Sequence, residues 1–127
     1  MTSEFPVGPV KNFREPIFCE SVVMTTNGSG VASGTTGVIS GEILKISYVK
    51  DTVNAATTCV STFTTPATTV TLDSYDVNGG SAERYVYAKV SGSTDVYVPN
   101  VIAGSAISLA VTGGALSKTF TVYIYYR

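Results

Sequence analysis

The sequence predicts an all-β protein: an antiparallel β-sandwich of about eight strands, of jelly-roll type, behind an extended N-terminal arm. Three observations predict it. Short runs rich in Val, Ile, Thr and Tyr alternate apolar and polar residues, the period of a half-buried strand. Gly, Asn, Asp and Ser clusters separate these runs, and no window carries a convincing helical period. Charged residues make up only 13% of the 127 residues, against an ordinary 44% hydrophobic content. Typical domains carry about twice that charge. Thr, Ser, Val and Gly fill the gap, and the β-branched Thr and Val suit a pleated sheet better than a helix. A chain of this length suits one domain with a core that needs no staples.

Residues 1–20 read as the arm. They hold Pro6, Pro9 and Pro16, three of the five prolines, and the charges Glu4, Lys11, Arg14, Glu15 and Glu20. Proline removes a ladder donor, so this stretch is no central strand. Its apolar residues Phe5, Val7, Val10, Phe13, Ile17 and Phe18 are too many for a free polar tail. They suggest a segment lying on a surface, its own or a neighbour's.

Residues 21–127 read as the sandwich. A first strand over 21–26 closes at Asn27-Gly28-Ser29-Gly30, a strong turn signal. Residues 31–40 read as a Gly/Ser/Thr loop with a short strand near 37–39. A second strand, 41–49, puts Leu44, Ile46 and Tyr48 on one face. A turn at 50–54 leads to a third strand, 57–63, stopped near Pro66. The fourth, 68–75, turns Val70 and Leu72 inward and Thr69, Thr71 and Asp73 outward. Asp76-Val77-Asn78-Gly79-Gly80 is the sharpest turn. A fifth strand, 83–90, sets Tyr85 and Tyr87 opposite Val86. Ser91-Gly92-Ser93 turns it into a sixth, 94–98, stopped by Pro99. The seventh, 105–112, faces Ile107, Leu109 and Val111 inward, and 119–127 alternates with Phe120, Val122, Ile124 and Tyr126 on one face.

The absence of histidine from the sequence removes the commonest general acid/base and metal ligand. A serine triad cannot be built; a Ser–Lys pair with Lys45, Lys50, Lys89 or Lys118 has no serine singled out for it. The carboxylates Asp51, Asp73, Asp76, Glu83 and Asp95 fall mostly at turns or solvent faces, a poor start for glycoside chemistry. Asp73 to Gly80 resembles part of a calcium loop but lacks the closing bidentate acid, and its residues are those a tight turn wants. Gly28, Gly30, Gly34 and Gly37 precede no helix, so no phosphate loop is expected. No catalytic residue, cofactor or metal is expected, and the chain reads as a non-enzyme.

A net charge of −1 with eight scattered basic residues leaves no footprint for nucleic acid. No run approaches the roughly 20 apolar residues of a membrane span. Met1-Thr2-Ser3-Glu4-Phe5-Pro6 has neither the basic nor the apolar region of a secretory leader, so synthesis in a cytoplasm is expected. Cys19 and Cys59 are too few for a disulfide scaffold. Two buried free thiols are the simplest reading, with a bridge as the alternative. Eight tyrosines and no tryptophan, several on outward strand faces, suit half-buried sheet positions or a contact patch, since tyrosine gives large contact area at low entropy cost.

The region from residue 37 onward carries a family resemblance. It begins with Gly41-Glu42-Ile43-Leu44-Lys45-Ile46-Ser47-Tyr48-Val49 and continues through a Thr-rich strand pair to Val96-Tyr97-Val98-Pro99. The Gly104 corner leads into Ile107-Ser108-Leu109-Ala110-Val111-Thr112-Gly113-Gly114, and the segment ends with Lys118-Thr119-Phe120-Thr121-Val122-Tyr123-Ile124-Tyr125-Tyr126. This resembles small all-β virion structural proteins of tailed bacteriophages and related viruses, the head-decoration and minor capsid proteins. The resemblance is one of strand and turn pattern, excludes the arm and implies no catalytic residues. It implies a virion protein, assembled in the host cytoplasm, that stabilises the shell through contacts with the major capsid protein and with copies of itself, as a homotrimer. The expected contact residues are Phe5, Val7, Phe13, Ile17 and Phe18 in the arm and Tyr85, Tyr87, Tyr123 and Tyr125 on the sheet. A carbohydrate-binding or host-adhesion module of the virion, and a tail or connector component, are the alternatives.

Overall fold

Nine strands, all paired antiparallel, make up the computed structural model, which describes residues 16–89 and 97–127. Among the described residues there is no α-helix. The strands are β1 (Phe18–Thr25), β2 (Ala32–Lys50), β3 (Thr58–Thr64), β4 (Thr69–Asp76), β5 (Ala82–Arg84), β6 (Tyr87–Lys89), β7 (Tyr97–Pro99), β8 (Val101–Thr112) and β9 (Thr119–Tyr126). Seven of them form the order β1-β9-β2-β8-β3-β4 with β5 added to β2; β6 and β7 pair separately.

The 19-residue β2 organises the molecule. Its first half, Ala32 to Glu42, pairs with β8, and its second half, Ile43 to Lys50, pairs with β9 and carries β5 at Ile46 to Tyr48. One sheet is therefore β1-β9-β2-β5 and the other β2-β8-β3-β4, with β2 crossing between them. The crossing is at Gly41, whose φ of +129° lies where L side chains rarely go, and whose missing Cβ leaves room for the Arg127 carbonyl. Glu42 and Arg127 exchange backbone hydrogen bonds of 2.7 and 3.0 Å beside it.

The core lies between the two sheets. Ile46, Tyr48, Phe120, Val122, Ile124 and Met24 come from one, and Ile39, Cys59, Phe63, Leu72, Ile107, Leu109 and Val111 from the other. The alternation expected for β8 and β9 holds: Ile107, Leu109, Val111, Phe120, Val122 and Ile124 are all buried.

Several expectations change. The first ladder starts at Phe18 rather than Ser21, because Phe18 to Thr25 pair in unbroken register with Tyr126 back to Thr119. The stretch read as a loop over 31–40 with a short strand near 37–39 is strand throughout from Ala32. Its glycines serve close approach: a Cβ on Gly34 would stand 2.7 Å from Val22 Cγ1 and 2.9 Å from Met24 Sδ. Leu44 does not share the inward face of Ile46 and Tyr48. It is the extra residue of a bulge, since Ile43 pairs with Tyr126 and Lys45 with the adjacent Tyr125. Ile43 takes the core position instead. Asp73 is buried rather than outward, because a bulge opposite Ser61 and Thr62 sends Leu72 and Asp73 inward together. The strand expected over 83–90 is interrupted between Arg84 and Tyr87, where Val86 is buried. Cys19 and Cys59 are free thiols, but Cys19 is exposed. Phe5, Val7 and Phe13 of the expected arm lie outside the described residues, as does most of the expected strand over 94–98.

Polar side chains tie the edges of the two sheets to one another. Along one corner, the Gly37 amide donates to Glu20 Oε1 at 2.9 Å, joining β1 to the first half of β2. Along the other, Arg84 of β5 grips Asp73 of β4 with Nε to Oδ2 at 2.8 Å and Nη2 to Oδ1 at 2.9 Å. Tyr48 adds a third donor to Asp73 Oδ2, at 2.8 Å.

Candidate functional site

On the outer face of the β1-β9-β2-β5 sheet, strand pairing sets side chains in rows. Cys19, Tyr125 and Lys45 form one row across β1, β9 and β2. Ser21, Tyr123, Ser47 and Glu83 form the next, reaching β5. The bulge at Leu44 matters here: it delivers Leu44 and Lys45 to this face in succession. The result is a surface cavity of about 510 Å³ lined by Ile17, Leu44, Lys45, Tyr85, Tyr87 and Tyr125. That volume falls within the range of ligand-sized pockets, roughly 300–1,000 Å³.

The cavity has apolar walls around one ion pair. Tyr85 and Tyr87 are 65% and 53% exposed, and Ile17 is 60% exposed. The buried Val86 between the two tyrosines anchors the segment so that both project the same way. Lys45 Nζ lies 2.6 Å from Glu83 Oε1 and 4.9 Å from the centre of the Tyr125 ring. Ser47 Oγ donates to the same carboxylate oxygen at 2.8 Å. The hydrogen bond that Lys45 donates to Glu83 raises its ammonium above the ordinary range, with some opposition from desolvation. Donation by Lys45 and then Ser47 lowers the Glu83 carboxyl. The cation is thus neutralised by a held partner, and the remaining surface is tyrosine and aliphatic.

Of the contact residues expected from sequence, Ile17, Tyr85, Tyr87 and Tyr125 come together here. Tyr123 sits on the same face one row away, beside Ser47. Phe18 does not join them. It pairs with Tyr126 at the end of the ladder and stacks on its ring at 5.5 Å. Leu44, Lys45 and Glu83 were missed as contributors. Lys45 and Glu83 did leave a signal, as opposite charges within strands otherwise rich in Tyr, Ile and Val; Leu44 left none, since its place depends on the bulge.

Two other carboxylates weighed from sequence, Asp73 and Asp76, have structural partners. Asp76 Oδ1 accepts from the amides of Thr57 and Asn78 at 2.9 and 3.0 Å, capping the 3-10 turn at Val77–Gly79. Asp73 is held by Arg84 and Tyr48. The Asp73–Gly80 segment is therefore a strand end and a capped turn, as turn chemistry predicts. Behind Asp73, the Tyr48 and Tyr75 rings pack at 4.8 Å, and Arg84 lies 4.9 Å over Tyr75. Burial, then the Asp73 charge, raises the Tyr48 phenol far above its usual range. Burial likewise pushes the Cys59 thiol up to about 12.

No family model matches the chain, and no curated protein or solved structure matches it.

Proposed function

We propose that this chain is a structural contact module of a virion, a capsid decoration or minor capsid protein that attaches to the shell through the tyrosine-walled face of its β1-β9-β2-β5 sheet. One observation carries the reading: three tyrosines and two aliphatic side chains are held around a cavity on a sheet, two of the tyrosines more than half exposed. Tyrosine presented on a rigid element loses little entropy on contact and is enriched where binding energy concentrates. The expected partners are the major capsid protein and further copies of this chain. The order of the ladders also supports a jelly-roll reading, with two successive strands fused into the bent β2.

The test is made on purified particles of the virus that encodes the chain. Antibody labelling and mass spectrometry are expected to find the chain at regular sites on the shell. The doubly substituted full chain Tyr85→Ser/Tyr87→Ser is expected to bind shells about thirtyfold more weakly, the equivalent of about 2 kcal/mol at a contact hot spot. Absence of the chain from purified particles overturns the reading.

The concavity favours a second reading, a carbohydrate-binding or adhesion module of the same virion. Tyrosine rings surrounding a pocket, with an ion pair to orient a polar ligand, are the ingredients of a small-molecule site. Saturable glycan binding, lost in Tyr87→Ser, favours this reading; a flat glycan profile removes it.

A further inference from the structure

We infer that the tyrosine-walled cavity is the seat of the chain's own N-terminal segment, residues 1–15, docked on the domain that carries it. This goes beyond the preceding reading and rests on it only in taking the cavity as a binding surface: the segment occupies the cavity in the free protein, and attachment to the shell through the same face displaces it.

Ile17 is one of the lining residues. Its neighbour Phe18 is fixed by the ladder to Tyr126 and by stacking on that ring. Pro16 and Ile17 therefore root the segment at the rim of the cavity. Phe13 stands four positions before Ile17 and Val10 seven. Extended chain covers at most about 3.3–3.6 Å per residue, so Phe13 has a reach of about 14 Å and Val10 of about 25 Å from a residue already in the wall.

Chemistry selects the same occupant. Lys45 is neutralised by Glu83, so the cavity offers aromatic and aliphatic surface rather than net charge. The segment supplies Phe5, Val7, Val10 and Phe13, separated by Pro6 and Pro9. Proline restricts the free chain, which lowers the ordering cost of docking. A tether this short sets a local concentration in the millimolar range, well above that of a second copy at micromolar protein.

The experiment uses the full chain with Cys19→Ser, which leaves Cys59 buried. Val10→Cys is combined either with Tyr87→Cys in the cavity wall or with Val38→Cys, an exposed position on the first half of β2. Under mild oxidation at micromolar protein, the Val10/Tyr87 pair is expected to form an intramolecular disulfide about tenfold faster than the Val10/Val38 pair. Equal rates overturn the inference. A product that is only intermolecular also overturns it and assigns the cavity to a second copy. The unsubstituted chain gives an independent readout, since nuclear Overhauser effects are expected between the Phe13 ring and those of Tyr87 or Tyr125; their absence overturns the inference. None of these outcomes depends on particle labelling, so this inference and the virion reading fail separately.

Discussion

Asp73 receives three hydrogen bonds from two different strands: two from Arg84 on β5 and one from Tyr48 on β2. Its side chain is 8% exposed and that of Arg84 40%, so solvent screens the pair from one side only. Removing the carboxylate strands a guanidinium and a buried phenol. Asp73→Ala is expected to cost about 2–4 kcal/mol in chemical denaturation. Asp73→Ala/Arg84→Met is expected to cost clearly less than the two single changes added together, since they share one interaction. The cysteines give a second test. With its thiol pushed up to about 12 and buried, Cys59 is expected to stay unreactive at pH 8, while exposed Cys19 reacts. A colorimetric thiol assay should count one thiol in the folded protein and two after unfolding. The Lys45–Glu83 pair sets a pH window. Glu83 is lowered from 4.5, so its contribution is present above 4.5 and lost as pH falls through the folded value. Lys45 is raised from 10.5, so its contribution is present below 10.5 and lost as pH rises through the folded value. A carbon-detected titration should place the Glu83 midpoint below 4.5 and return it toward 4.5 in Lys45→Met.

At the scale of elements, β9 and the part of β8 from Ile107 onward were legible because they alternate strictly, and every predicted inward residue except the half-buried Tyr126 is buried. β8 was expected only from Ser105 but starts at Val101, and its alternation is broken before Ile107. The first half of β2 was not legible. Gly34, Gly37 and Gly41 look like loop residues in sequence, but they are needed where β2 passes close to β1 and then changes sheet. Bulges were equally hidden. Those at Leu44 and Leu72 are fixed by the register of the partner strand, which no single segment encodes. This also explains the candidate site: its tyrosines were visible as outward residues, whereas Leu44 and Lys45 arrive by bulge. The two glycines should respond differently to alanine. Gly41→Ala meets both a forbidden φ and the Arg127 carbonyl, a backbone atom that cannot step aside. Gly34→Ala meets the movable tips of Val22 and Met24. Gly34→Ala is expected to cost about 1–3 kcal/mol and Gly41→Ala more, read as shifts in denaturation midpoint at unchanged slope.

Across the whole molecule, two polar clasps hold together edges that would otherwise be open: Glu20 to the Gly37 amide at one corner and Arg84 to Asp73 at the other. Strand edges left bare invite pairing with other chains, so the clasps matter for solubility as well as stability. Glu20→Ala is expected to lower the melting temperature by a few degrees, about 1 kcal/mol for a domain of this size, and to raise light scattering on heating. The pairing of β1 with β9 has a different consequence. Thr25 meets Thr119, 94 positions further along the chain. At a synthesis rate of roughly 5–20 residues per second, that separation corresponds to about 5–20 s on the ribosome. Throughout that delay Val22 and Met24 have no native partner strand on the β9 side. The newborn polypeptide must shelter its opening β-segment until translation supplies the mate, and chaperone demand should peak within that interval.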